Sequence, residues 1–118
     1  MILVDTSVWI DHLRRGDARL VDLLLEQHVL CHPFVVGELA CGALTRRASF
    51  LGLLGRLPQV AALPGPEVLT FVEVHSLMGQ GLGWVDVHVL AAVFASGHTI
   101  WTRDRRLARA AERLGVAN

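Results

Sequence analysis

The sequence predicts an α/β fold: a parallel sheet of four to five short strands flanked by helices, with residues 1–118 forming one domain. Three observations predict it. Short apolar runs of strand length alternate with longer segments of helical periodicity. Glycine and proline punctuate the junctions, and there is no repeat, low-complexity tract or linker. Two carboxylates, Asp5 and Asp104, follow apolar runs and open helical segments, which is where open parallel sheets place their sites.

The elements follow in order. Met1 to Val4 is an apolar run that reads as a buried strand. Asp5-Thr-Ser offers helix caps, and Ser7 to Arg15 reads as a helix broken at Gly16. Asp17 caps the next helix, in which Leu20, Leu23, Leu24 and Gln27 share a face. Val29 to His32 is a second strand. Pro33 suits the first turn of a helix running to about Ala43, and Arg47 to Leu57 gives another. Gln59 to Leu63 is a weaker third strand. Pro64-Gly-Pro66 is a breaker, and Pro66 opens a helix to about Gln80. After the Gly81-Leu-Gly83 loop, Val85 to Ser96 is an almost wholly apolar helix that should be deeply buried. Thr99 to Thr102 is a strand, Asp104 to Leu114 a helix stopped by Gly115, and Val116 to Asn118 an edge strand.

Composition excludes several function classes. Cys31 and Cys41 form no C-x-x-C pair, and no basic stretch precedes an apolar start, so a reducing, cytoplasmic protein is expected. The uncharged stretch Val87 to Thr102 is short for a membrane span and contains two histidines. All eleven basic residues are arginines, which excludes a catalytic lysine. Formal net charge is zero, so nucleic acid would have to be held by a local arginine patch or a metal. Hydrophobic residues make up 53% before the glycines are counted, an excess that suggests a surface covered by a partner, with an alanine- and leucine-rich thermostable core as the alternative.

Four of the eleven acids stand apart because apolar sequence surrounds them. Asp5 follows Ile2-Leu-Val4. Glu38 sits in Phe34-Val-Val-Gly-Glu-Leu-Ala-Cys41, Asp86 in Trp84-Val-Asp-Val-His-Val-Leu90, and Asp104 follows Ile100-Trp-Thr-Arg103. A buried carboxylate needs a cation, a helix N-terminus or a proton. One such acid alone reads equally as a cap or an arginine partner, with Arg103 the natural partner for Asp104. Four at the ends of elements favour one shared divalent cation, and an all-oxygen carboxylate site suits Mg²⁺, with Mn²⁺ able to substitute. Asp17, Asp22, Glu26, Glu67, Glu73 and Glu112 read as solvated or capping residues, and Asp11 as facing water or a partner.

The same motifs in the same order resemble the PIN-domain family and, within it, the VapC toxins of toxin–antitoxin pairs. Asp5-Thr-Ser7 is similar to the family's opening Asp-x-Ser/Thr motif, and Glu38-Leu-Ala-Cys-Gly42 to its Glu-x-x-x-Gly helix. Asp86-Val-His-Val-Leu-Ala-Ala92 is similar to its Asp helix, and Thr102-Arg-Asp104 to its Thr-x-Asp motif. The resemblance runs from Met1 to Gly115. It implies a three-layer nuclease in which Asp5, Glu38, Asp86 and Asp104 are the catalytic and metal-binding residues. Ser7 and Thr102 would fix the carboxylates by hydrogen bonds, with simple helix capping the alternative. It implies an RNA substrate such as a transfer RNA or a ribosomal RNA loop, a VapB-like antitoxin, and a homodimer.

Other residues are weighed beside these. Trp84, Arg14–Arg15 and Arg46–Arg47 are candidate RNA contacts, with packing or solvated helix ends as the alternative; Trp9 and Trp101 are expected to pack. The six histidines show no zinc spacing, and none is paired for cleavage through the 2′-hydroxyl. A receiver or haloacid-dehalogenase-like phosphotransfer domain also places acids after strands, but wants a lysine. The remaining alternative is a non-catalytic PIN-like module that binds RNA or protein.

Overall fold

A computed structural model describes all residues from Met1 to Asn118. Ten elements follow one another along the chain: β1 (Ile2–Val4), α1 (Thr6–Arg15), α2 (Ala18–Leu25), β2 (Val29–Leu30), α3 (Pro33–Ala40), α4 (Arg47–Arg56), α5 (Gly65–Val74), α6 (Trp84–Ser96), β3 (Thr99–Trp101) and α7 (Arg105–Arg113). The strands form a parallel sheet in the order β2-β1-β3. Ile2 pairs with Val29 and with Thr99, and Val4 pairs with Trp101, so β1 and β3 end side by side. The chain is therefore an α/β structure with a parallel sheet flanked by helices.

The sheet has three strands, not the expected four to five. Gln59 to Leu63 and Val116 to Asn118 are each reduced to one bridge, Gln59 to Cys31 and Ala117 to Ile100. Pro58 and Pro64 bracket the first segment, and proline cannot donate to a ladder. Only Val60 of that segment is buried, so little side-chain burial rewards further pairing.

A core of buried side chains surrounds the sheet. Leu3, Val4, Trp9 and Ile100 are essentially inaccessible, and α6 is buried continuously from Val87 to Val93. A helix apolar all round belongs inside, and α6 fills that role. Gly97, at φ +74°, ends it in the left-handed region and turns the chain into β3. Helix α5 stops at Val74 rather than near Gln80. Ser76 adopts φ +53°, and the Leu77 N–H returns to the Val72 carbonyl at 3.0 Å, which buries Leu77. No helix is long and apolar enough to cross a membrane.

Candidate active site

The paired ends of β1 and β3 carry Asp5 and Thr102 to the same edge of the sheet, where the Asp5 N–H donates to the Trp101 carbonyl at 2.9 Å. Asp5 stands at the N-cap of α1, yet its side chain caps nothing. Its Oδ2 instead accepts from Ser7 Oγ and from Thr102 Oγ1, both at 2.8 Å. Each hydroxyl in turn accepts a backbone amide: Ser7 Oγ from Arg103 N at 3.0 Å, and Thr102 Oγ1 from Asp104 N at 3.0 Å. Each hydroxyl has one proton, and both protons go to Asp5. The 3.3 Å approach of Ser7 Oγ to Thr102 Oγ1 is therefore a contact without a proton of its own. This network fixes the rotamer of a carboxylate that is only 6% exposed.

The other three acids arrive from separate helices. Asp104 caps α7, its Oδ1 accepting from Arg106 N at 2.9 Å and Leu107 N at 3.0 Å. Glu38, on α3, accepts at Oε1 from Thr6 Oγ1 at 2.7 Å. Asp86, in the first turn of α6, folds back so that Oδ2 accepts from Gly83 N at 2.8 Å. Burial pushes the Asp86 carboxyl above its ordinary pKa, partly opposed by the Gly83 hydrogen bond. The negative charges of Asp5, Asp104 and Glu38 push it further up. Asp86 thus lies close enough to the other three predicted acids to feel their charge.

One pattern sets these four apart from Asp11 and Asp17, the two aspartates that hold arginines. Each has one carboxylate oxygen engaged and the other without a protein hydrogen bond: Asp5 Oδ1, Glu38 Oε2, Asp86 Oδ1 and Asp104 Oδ2. Asp11 and Asp17 have both oxygens engaged. Asp11 holds Arg15 Nη2 at 3.3 Å and Arg103 Nε at 2.8 Å. Asp17 holds Leu20 N at 3.0 Å and Arg103 Nη2 at 2.6 Å. Four half-free, hard oxygen donors fit Mg²⁺. No three Asp, Glu, His or Cys side chains are gathered tightly enough to cage an ion by themselves. An ion here would therefore be held by one or two of these carboxylates directly and by the others through water, as Mg²⁺ can be.

Several residues differ from the sequence expectation. Arg103 turns from its neighbour Asp104 to Asp11 and Asp17, so Asp11 is an ion-pair partner and not a solvated residue. The sequence does not single out Thr6; its partner Glu38 lies 32 residues away, and only the Asp5-Thr-Ser7 run hints at it. Trp9 and Trp101 are buried, whereas Trp84 is 47% exposed and sets its edge against His88 at 4.4 Å. Phe34 lies on His88 at 4.5 Å. Arg15 is tied to Asp11, and Arg14 lines a cleft of 370 Å³ between α1 and α3 that also borders Ile10, Leu13, Leu39 and Glu38.

Comparison with known proteins gives two findings. The PIN domain family matches residues 2–113. Two curated relatives, each called "Ribonuclease VapC32", come from Mycobacterium tuberculosis strains CDC 1551 / Oshkosh and ATCC 25618 / H37Rv. Each is 49% identical over 118 residues, covering 99% of this chain and 95% of the relative.

Proposed function

The chain belongs to the PIN-domain family, and on that footing we propose that it is a Mg²⁺-dependent endoribonuclease, a VapC-like toxin of a toxin–antitoxin pair. The observation that carries the reading is the set of four carboxylates, each with one oxygen free. Asp5, Glu38, Asp86 and Asp104 hold the ion through those oxygens, directly or through water. Bound there, Mg²⁺ supplies positive charge at the scissile phosphate and makes water a competent nucleophile near neutral pH. Ser7 and Thr102 keep Asp5 in one orientation, so the site needs little reorganisation when substrate arrives. Glu38, exposed and tied only to Thr6, orients the attacking water. The water oxygen bonds to phosphorus, the bond to O3′ breaks, and the products carry 5′-phosphate and 3′-hydroxyl ends. Mn²⁺ substitutes for Mg²⁺.

The partners follow from the same reading. The substrate is RNA, of the transfer or ribosomal class, and the chain acts in the cytoplasm. A VapB-like antitoxin covers the α1–α3 cleft, where apolar Ile10, Leu13 and Leu39 lie beside Glu38 and an incoming cation would meet the acids. Exposed Leu69, Val74, Met78 and Phe94 supply apolar surface for a homodimer. The direct test is sequencing of RNA ends after incubation of a cellular RNA pool with the purified chain, with Mg²⁺, Mn²⁺ or chelator. Metal-dependent cuts are expected. No cleavage of any RNA leaves a binding module in place of an enzyme.

A further inference from the structure

None of the four arginines of α7 is claimed by an acid, and three of them share one cleft. Arg106, Arg109 and Arg113 line one cleft of 350 Å³ with Gln80 and Ala110. None of the three forms an ion pair, whereas Arg15 and Arg103 are both neutralised by aspartates. Their spacing of i, i+3 and i+7 places them on one face of the helix. That face runs along α7, away from the end where Asp104 caps the helix beside the other acids.

The cleft is also pre-organised. The Arg113 Nη2 donates to the His75 carbonyl at 2.8 Å, which anchors the guanidinium and leaves other N–H donors free. The Arg106 side chain lies directly on Gly81. A Cβ there would sit 2.7 Å from the arginine Cδ and 2.9 Å from Nε, and Gly81 has φ +75°. Glycine at that position therefore makes the room Arg106 occupies. Gln80 is held in turn, its Nε2 donating to the Ser76 carbonyl at 2.9 Å. Side chains on an ordinary solvated helix face are not fixed from beneath in this way.

We propose that Arg106, Arg109 and Arg113 form a phosphate-binding cleft that holds the RNA backbone next to the bond being cut. This rests on the ribonuclease reading of the acidic site. An RNA strand approaching four carboxylates meets repulsion, and a zero net charge gives no overall attraction to offset it. A local cationic track supplies that attraction. Seven residues of helix rise span about 10 Å, enough for two successive phosphates of an extended strand. Guanidinium groups match phosphate oxygens in pairs of parallel hydrogen bonds. An acidic protein segment would satisfy the same charges. RNA is favoured because the track starts two residues from Asp104, and a strand engaged at the acids has its neighbouring phosphates within reach of it.

The test is a binding titration of the full chain in chelator, so that no cleavage occurs. The probe is a fluorescein-labelled oligouridylate of about 12 nucleotides, read over roughly 50 to 200 mM salt. The variant Arg106→Gln/Arg109→Gln/Arg113→Gln should bind at least about tenfold more weakly at the low-salt end. Its log Kd against log salt slope should fall by about 1.4, near 0.7 for each of the two phosphates that are no longer neutralised. The single variant Arg109→Gln, which removes the arginine between the two anchored ones, should reduce that slope by about a third as much and covers the case in which the triple variant does not fold. Three results overturn the proposal: wild-type slope and affinity in these variants, no binding by the wild type, or the slope falling instead in Arg14→Gln/Arg46→Gln/Arg47→Gln. Metal-dependent cleavage is read separately on the wild type. A protein that binds through the cleft but never cleaves would refute the enzyme reading and leave the cleft standing.

Discussion

Asp86→Asn should abolish RNA cleavage while leaving the metal-free protein as stable as the wild type or more so. Asparagine keeps the shape, and its carbonyl can accept the 2.8 Å hydrogen bond from Gly83 N. Exchanging a charged acceptor for a neutral one costs about 1 kcal/mol. Against this, the variant no longer desolvates a charge or opposes Asp5, Asp104 and Glu38, the forces that raise the Asp86 pKa. Two unit charges at ~8 Å and an effective dielectric near 20 repel by about 2 kcal/mol, and physiological salt brings this below about 1 kcal/mol. Asp86 is only partly buried, and a proton can be shared among the acids, so the three pairs together give about 1–2 kcal/mol. The balance favours the variant by about 0–1 kcal/mol, a melting temperature about 0–5 °C higher. The sign has a pH signature. Asp86 holds its proton in the folded state above the range where the unfolded chain has released it. The wild type in chelator therefore loses stability as pH rises from the ordinary carboxylate range through the raised value. The variant lacks that loss, so the gap between the two opens across the window and stays constant above it. Mn²⁺ at about a hundred times its Kd should stabilise the wild type by about 2.7 kcal/mol and the variant by much less. Thermal melts in chelator and in Mn²⁺, with a cleavage assay, decide the matter. An Asp86→Asn protein that still cleaves RNA and responds to Mn²⁺ like the wild type refutes the metal-site assignment.

Cleavage products should carry 5′-phosphate and 3′-hydroxyl ends by end-specific ligation, and 2′,3′-cyclic phosphates would reject the hydrolytic mechanism. Thr102→Ala removes the hydroxyl that links Asp104 N to Asp5 Oδ2. It should lower activity about 10- to 100-fold with a stability loss of about 1–3 kcal/mol; unchanged activity would make Thr102 a capping residue only. His32 is fully buried beside His88, and burial, then the His88 charge, lowers its pKa to about 4. The folded state refuses a proton that the unfolded state accepts. Stability is therefore complete above about pH 6.5 and falls by up to about 3 kcal/mol as pH drops toward 4. His32→Asn, which can still accept from Phe34 N, should flatten that limb of a melting-temperature profile. Sedimentation should give a homodimer at micromolar concentration, and expression of the chain alone should arrest growth; a monomer that is harmless to cells contradicts the toxin reading.

Much of the site was legible because burial and charge conflict visibly in sequence. An aspartate after Ile2-Leu-Val4 or inside the apolar α6 run has to be answered by something, and four such acids fell at element ends. What the acids are tied to was not legible. Thr6 and Glu38 are 32 residues apart, and Arg103 meets Asp11 and Asp17 only because β3 lies beside β1. The early end of α5 carries no glycine or asparagine at Ser76 to announce its positive φ. The weak third strand looked like one because Val60-Ala-Ala-Leu63 is apolar, but only Val60 faces the core.

The placement of Arg103 bears on how the acidic site keeps its charge. By sequence it is the cation best placed to neutralise Asp104. A guanidinium there would compete with any metal for the free carboxylate oxygens. The protein instead gives Arg103 two carboxylates of its own, Asp11 at 2.8 Å and Asp17 at 2.6 Å, on α1 and at the start of α2, while its backbone N–H serves Ser7. The Arg103 side chain lies near Trp101, with the ring centroid 5.8 Å from Cζ. Removing the anchors should therefore matter at a distance. In Asp11→Asn/Asp17→Asn the guanidinium loses both charged partners, and Asp104, its neighbour in the chain, is the carboxylate it would turn to. The double variant should bind Mn²⁺ at least about tenfold more weakly, a change of about 1.4 kcal/mol, and adding Arg103→Gln should restore the affinity. Isothermal titration of the three proteins measures this directly. Unaltered Mn²⁺ affinity in the double variant would mean that Asp11 and Asp17 fasten α1 and α2 to the loop after β3 and have no part in keeping the acidic site open.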